Sequence, residues 1–234
     1  MSLNIYTHGR RDEAKVALTF DDGPNPPRTD EVLAVLGSRK ARATFFVIGK
    51  WVERWPGAFE RIVQAGHVIG NHSYLHNRDL GDFDRAEPLI TNLAGRPTAF
   101  LRAPYFFSRL YLNSQVATLP TVKAVHADVV PDDWSLTDPN QISSRILNSA
   151  SLQGGSIIDL HDGSESECDA ERMARPAAMI LALPKLIDEL RVRGYTLVGL
   201  DEMELIEPTQ PQRVAHSLVL QILCPTYSFS RQHA

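Results

Sequence analysis

Val16-Ala17-Leu18-Thr19-Phe20-Asp21-Asp22-Gly23-Pro24 reads as a buried strand running into a turn. Its apolar residues follow one another instead of alternating with polar ones, the pattern of a strand covered on both faces, as in a parallel sheet. The Gly-Pro pair ends it. Similar runs recur at 43–48, 67–69, 99–101, 122–126, 156–158 and 195–198. Helical periodicity fills gaps between them. Val32, Leu33, Val35 and Leu36 form one apolar face, with Thr29 or Asp30 as N-cap, and Phe59, Ile62 and Val63 form another, closed by Gly66. Asp138-Pro139 is an N-cap followed by proline at the first helical position, leading to Ile142, Ile146 and Leu147. Leu186, Ile187 and Leu190 belong to a late helix ending near Gly194. Strand and helix in alternation predict an α/β fold, and about seven strands without a split predict a barrel-like sheet in one domain.

Two stretches fit this scheme poorly. Residues 77–98 carry weak helical signal, interrupted by Pro88 and Gly95. Residues 206–234 follow the last expected strand, contain three prolines and end in a polar tail. Within them 217–223 reads as an added strand or packing segment, and the last few residues as disordered.

Composition narrows the function classes. The chain has 234 residues, 24 basic and 28 acidic side chains, a net charge of -4 and 43% apolar residues. So much apolar content with so little net charge excludes disorder for most of the chain. The absence of a basic excess or a Lys/Arg block argues against a nucleic-acid partner. No apolar run approaches the ~20 residues that cross a bilayer, so no membrane insertion is expected. Cys168 and Cys224 belong to no Cys-x-x-Cys pair, which excludes a disulfide scaffold and makes a thiolate zinc knuckle an unexpected reading. Met1-Ser2-Leu3-Asn4-Ile5-Tyr6 lacks the charged-then-apolar order of a signal peptide, so a cytoplasmic location is expected; a chain trimmed of its signal would read the same and be secreted. Oligomeric state has no signature here.

The chemistry-bearing residues all follow expected strands, where parallel α/β folds gather their functional groups. Asp21 and Asp22 end the first: one carboxylate suits a cation and the other a proton, or both cap a turn. His72-Ser73-Tyr74-Leu75-His76 follows the third; histidines at i and i+4 on a helical turn can grip one metal, although the spacing alone is weak. Arg102-Ala103-Pro104-Tyr105 offers a guanidinium to hold a carboxylate, or a surface arginine beside a proline turn. Pro131-Asp132-Asp133-Trp134 is the fourth element, and Asp159-Leu160-His161-Asp162-Gly163 the fifth, with His161 placed to titrate.

Taken in order, these five stretches resemble the NodB-homology domain of polysaccharide deacetylases, carbohydrate esterase family four. The motifs are TFDDGP, H-S-x-x-H, R-x-P-Y, a D-W pair and a histidine after an apolar strand, and the match runs from about Val16 to about Leu200. The resemblance implies a deformed (β/α) barrel in residues 1–205, with 206–234 as a C-terminal extension. It implies one divalent metal held by Asp22, His72 and His76, most often Zn²⁺, with Co²⁺ and Ni²⁺ suiting the same donors. Asp21 would be the general base, held by Arg102, and His161 the general acid, kept protonated by Asp133. The backbone N–H of Tyr105 would be an oxyanion donor and Trp134 a pocket wall. The substrate implied is a carbohydrate: N-acetylglucosamine-containing oligo- or polysaccharide, losing acetate.

Three departures accompany the resemblance. Val130 stands where the family usually has an Asp four residues before the Trp. Asp159 stands where a Leu usually lines the acetyl-methyl pocket, so either it points elsewhere or the acyl group is not a plain acetyl, since an unpaired carboxylate against a methyl is costly. The segment between His76 and Arg102 is short for the family, as though an outer helix were lost. Asp159 and that short segment favour a second reading, a C–N hydrolase of a non-sugar amide or cyclic ureide. A third is a non-catalytic glycan-binding barrel, opposed by the retained Asp21, Asp22, His72, His76 and His161. Trp51 and Trp55 read as packing or groove residues, His67 and His126 as satisfied strand histidines, and 162–171 as a solvated acidic loop.

Overall fold

The computed structural model describes residues 5–77, 81–106 and 122–207. The expected extension from 208 onward, with its 217–223 run, lies outside the described residues. Eight strands form one parallel sheet. They are β1 (Ile5–Tyr6), β2 (Lys15–Gly23), β3 (Thr44–Val47), β4 (Val68–Asn71), β5 (Phe100–Leu101), β6 (Lys123–Val125), β7 (Ile157–His161) and β8 (Thr196–Leu197). Their order is β1-β6-β5-β4-β3-β2-β7, with β8 attached to the start of β2. Past β6 the chain swings beside β7: Val129 bridges Ile158, and the Asp159 N–H donates to the Val129 carbonyl over 2.9 Å. That contact rolls the sheet into a deformed barrel. All seven expected strands are present; β1, two residues paired to β6, is the addition.

Alternation along β2 sorts the core into two parts. Val16, Leu18 and Phe20 face outward into the larger cluster, against α1 (Arg28–Ser38), α5 (Pro139–Leu147) and α7 (Ala177–Val192). Ala17, Thr19 and Asp21 face the barrel interior. There Phe46, Val68, Phe100, Val125 and Ile157 form an apolar floor with Ala17. Val198, Leu200, Met203 and Leu205, from the segment after β8, seal it from below. Gly70 makes room for this filling, since a Cβ there would lie 2.4 Å from the Phe46 ring.

Helix boundaries depart from expectation in places. The N-cap of α1 is Pro27, so Thr29 lies inside the helix and its hydroxyl is free for other partners. Asp138 does cap α5, accepting from the Asn140 N–H, and Gly66 and Gly194 take the left-handed conformation that closes α3 (Pro56–Gln64) and α7. Residues 81–94 correct the expectation of a lost outer helix: they form α4 (Gly81–Ala94), with Pro88 inside it. Phe83, Ala86 and Ile90 are buried, and Glu87 accepts from Asn71 at the end of β4 and from the Thr98 N–H and hydroxyl. Tertiary anchoring outweighs the weak local propensity. No described helix is long and apolar enough to cross a membrane.

Candidate active site

Asp21 and Asp22 are neighbours, so a regular strand would send them to opposite faces. The register of β2 against β3 shifts between Asp21 and Gly23, and Asp22 adopts φ 69°. This bulge leaves Asp21 facing the barrel interior and turns Asp22 over the rim, so both carboxylates reach one site. Asp22 Oδ1 lies 3.2 Å from His76 Nε2 and 3.5 Å from His72 Nε2. Asp21 Oδ2 lies 3.6 Å from His72 Nε2.

The histidines sit on a loop, not on the expected helical turn. Ser73 and His76 both have positive φ, and the loop is tied by Asn71 Oδ1 to the Ser73 N–H and by Ser73 Oγ to the His76 N–H. The rings still converge, with centroids 4.9 Å apart. His72 Nδ1 donates to the Arg102 carbonyl over 2.7 Å, which orients the ring and leaves Nε2 as a lone-pair donor. Burial lowers His76 to about 4. Burial also opposes charge on His72, but the carboxylates of Asp21 and Asp22 outweigh it and raise its pKa. Asp22 lies below the usual carboxylate range because His76, His72 and His161 together outweigh its burial.

Asp22 Oδ1 is buried and has no hydrogen-bond partner among the described residues, although two imidazole nitrogens face it. One ligand atom from each of Asp22, His72 and His76 lies within 4.8 Å of the others. An orphaned carboxylate oxygen facing two imidazole nitrogens fits a divalent cation of the zinc type. Three such ligands would leave coordination positions open, as a catalytic site requires.

Arg102 is fully buried just past β5. Its Nη1 donates to Asp21 Oδ1 (2.7 Å), Thr19 Oγ1 (2.8 Å) and Asp159 Oδ1 (2.9 Å). Nε and Nη2 donate to the Val125 and His126 carbonyls, and the guanidinium stacks 4.2 Å over the Phe46 ring. Asp159 is therefore buried inside the barrel and paired with Arg102, so it is not an unpaired carboxylate. Burial first, and then the Asp21 charge, pushes its carboxyl up to about 7.

Across from the metal cradle, His161 ends β7. Its Nδ1 lies 2.9 Å from Asp133 Oδ1, and its backbone N–H donates to Asp133 Oδ2. Burial disfavours the imidazolium, but Asp133 and Asp159 outweigh it and hold the pKa well above the ordinary value. Trp134 meets the His161 ring edge-on at 5.0 Å, and Tyr105, half-exposed at φ 57°, meets His76 at 4.8 Å.

The remaining readings divide. Trp51 is a packing residue, buried and donating through Nε1 to the Ser164 carbonyl. His67 accepts the Ala43 N–H, whereas His126 Nε2 has no partner among the described residues. The supposed solvated loop folds back onto the site: Asp162, Gly163 and Ser164 are buried, and Arg175 pairs with Glu165 and Glu171. Asp162 was missed because its partner, the Thr29 hydroxyl at 2.5 Å, lies far away in sequence. The glycine beside it, Gly163, was the available signal. Burial lifts the Asp162 carboxyl to about 7.

A parallel barrel with a carboxylate, a paired histidine and a cation cradle at the carboxyl ends of its strands defines a hydrolase site. A family model, "Polysaccharide deacetylase", matches residues 8–117. A chitooligosaccharide deacetylase from Sinorhizobium fredii is 37% identical over 204 residues, 80% of this chain and 90% of that protein. A peptidoglycan-N-acetylglucosamine deacetylase from Bacillus cereus is 32% identical over 205 residues, 83% and 70%. Among solved structures, the Bc1960 peptidoglycan N-acetylglucosamine deacetylase superposes with TM-score 0.74 at 29% identity, covering 89% of this chain and 95% of that one. The chain belongs to the polysaccharide deacetylase family, carbohydrate esterase family four, and is a hydrolase of that class.

Proposed function

We propose that the chain removes N-acetyl groups from N-acetylglucosamine-containing oligo- or polysaccharide by metal-dependent hydrolysis, an activity placed in residues 1–205. The chitooligosaccharide deacetylase matched over nine-tenths of its length favours oligosaccharide as the substrate. The observation that carries the reading is the position of Asp21. Arg102 pins its Oδ1 at 2.7 Å, while Oδ2 faces His72 at the edge of the cation cradle.

Asp22, His72 and His76 would hold the ion. When bound, it supplies Lewis acidity that polarises the amide carbonyl and makes water acidic enough to attack near neutral pH. The solved relative binds an N-oxidanyl-benzamide, a hydroxamic acid of the kind that chelates such ions. Asp21 accepts the proton of the attacking water, and Arg102 keeps its carboxylate turned toward that proton. His161, bound through Nδ1 to Asp133, presents Nε2 and delivers its proton to the leaving nitrogen. The C–N bond breaks as the new C–O bond is completed, giving acetate and a free amine. The backbone N–H of Tyr105 serves as a further oxyanion donor, and the rings of Tyr105 and Trp134 flank the sugar.

The test is acetate release from chito-oligosaccharides, with and without a chelator, by wild type and Asp21→Asn. Release that requires both the metal and Asp21 is expected. Equal release by Asp21→Asn would refute its role as base, and no release by metal-loaded wild type would refute the substrate.

A further inference from the structure

Among the buried acids to which the mechanism above gives no step, Asp162 is the one pressed against the backbone of Asp22 and Gly23. Asp162 is fully buried beside His161, and its Oδ1 has no hydrogen-bond partner among the described residues. A native structure keeps such a group only where something requires it. Its surroundings show what that is. Gly23 lies directly against the carboxyl group: a Cβ on Gly23 would stand 2.4 Å from Asp162 Oδ2 and 2.6 Å from Oδ1. The next residue makes the reciprocal contact, since a Cβ on Gly163 would stand 2.1 Å from the Asp22 carbonyl oxygen. The 162–163 backbone and side chain are thus pressed against the 22–23 backbone on both sides of the bulge.

Hydrogen bonds close the contact into a ring. The Asp162 N–H donates to the Asp21 carbonyl over 3.3 Å. The Thr29 hydroxyl donates to Asp162 Oδ2 and accepts the Asn25 N–H over 2.7 Å. Asn25 leads back along the chain to Gly23. Asp22 sits at the centre of this ring in a left-handed conformation that a side chain adopts only when its surroundings over-determine it.

We propose that Asp162, braced by Thr29, is a positioning residue for the metal ligand Asp22, a strut that holds the β2 bulge in its ligating conformation and ties it to the end of β7, where His161 lies. The inference rests on the metal reading above. It predicts that metal affinity depends on the size and acceptor oxygen of residue 162, and not on its charge.

Zn²⁺ dissociation constants are to be measured by competition with a chromophoric chelator, alongside thermal unfolding of the metal-free proteins. Outer-shell partners of metal ligands typically control affinity by about 10–100-fold. Asp162→Ala is expected to weaken Zn²⁺ binding at least about tenfold, and Thr29→Val to weaken it by less. Asp162→Asn, which keeps the size and an oxygen for Thr29, is expected to stay within about threefold of wild type. Asp138→Ala, which strips only the α5 cap, is expected to leave affinity unchanged. A folded Asp162→Ala with wild-type affinity would overturn the inference. If that variant does not fold, wild-type affinity in Thr29→Val would do so. An Asn variant as weak as Ala would also overturn it, by pointing to charge, and a loss in Asp138→Ala would attribute the effect to stability alone. Wild type that takes up no Zn²⁺ would instead defeat the metal reading, and this inference with it.

Discussion

Replacing Asp159 with Asn should make the metal-free protein's stability respond differently to pH, and both the size and the sign follow from where the carboxyl lies. It is buried in the barrel, with Oδ1 2.9 Å from an Arg102 nitrogen that Asp21 already occupies. Burial and the Asp21 charge lift its pKa to about 7, against about 3.9 in the unfolded chain. Between those values the folded state holds a proton that the unfolded state has released. The unfolded state therefore binds fewer protons, and stability falls as pH rises through the window. Each unit is worth about 1.4 kcal/mol, so the three-unit window sets a ceiling of about 4 kcal/mol. Asn is neutral throughout and carries no such slope. The stability of Asp159→Asn relative to wild type should thus climb by roughly 2–4 kcal/mol between pH 4 and 7 and then level off. Denaturant unfolding of chelator-treated protein, followed by tryptophan fluorescence at half-unit pH steps, reads this directly. A pH-independent difference would mean that Asp159 is ionised throughout the window, with Arg102 neutralising two carboxylates at once. A difference that shrinks with pH would mean that the arginine depresses the pKa, and the burial argument would be wrong.

Three further outcomes can be checked with single substitutions. In Asp133→Asn the carboxylate that most strongly opposes the burial of His161 is gone; the alkaline limb of the kcat/KM profile should move to lower pH and activity at pH 8 should fall about 100-fold, with metal content unchanged. An unmoved limb would remove His161 as the acid. Arg102→Ala leaves Asp21 and Asp159 buried without their shared cation, and should cost about 3–5 kcal/mol in denaturant unfolding. Gly70→Ala drives a methyl into the Phe46 ring; it should cost about 1–3 kcal/mol, and a wild-type melting temperature would show that the barrel floor yields more easily than its packing indicates.

Much of the fold is legible in the sequence because strands buried on both faces must be apolar almost continuously, and each such run is a strand in the structure. The site was legible for a related reason. Its residues sit in the last positions of strands or in the segments that follow them, where the parallel arrangement brings distant segments together. What escaped is what depends on contacts between segments. Two-residue β1 has too little sequence to carry a pattern. Helix α4 hides behind Pro88, and its anchor Glu87 looks like a surface acid until Asn71 and Thr98 are seen to bind it. Thr29 has the composition of a helix cap, and only the fold shows its hydroxyl serving Asp162 instead.

The least legible feature is also the one on which the chemistry turns. Two consecutive aspartates on a regular strand would have opposite surroundings: Asp21 in the barrel with Thr19, Asp22 among the helices with Phe20. Neither could then serve a site at the rim together with the other. The left-handed step at Asp22 breaks the alternation by one residue and gives each carboxylate a distinct environment a few ångströms apart. Asp21 keeps the interior address, where a buried guanidinium fixes one oxygen and leaves the other toward the cradle. Asp22 is carried to the two imidazoles, which hold it ionised and leave its oxygen without a donor. The roles proposed for them, a base and a cation ligand adjacent in sequence, require environments pulled apart in this way. The glycines at 23 and 163 matter for the same reason, since a side chain at either position would close the space in which the bulge forms.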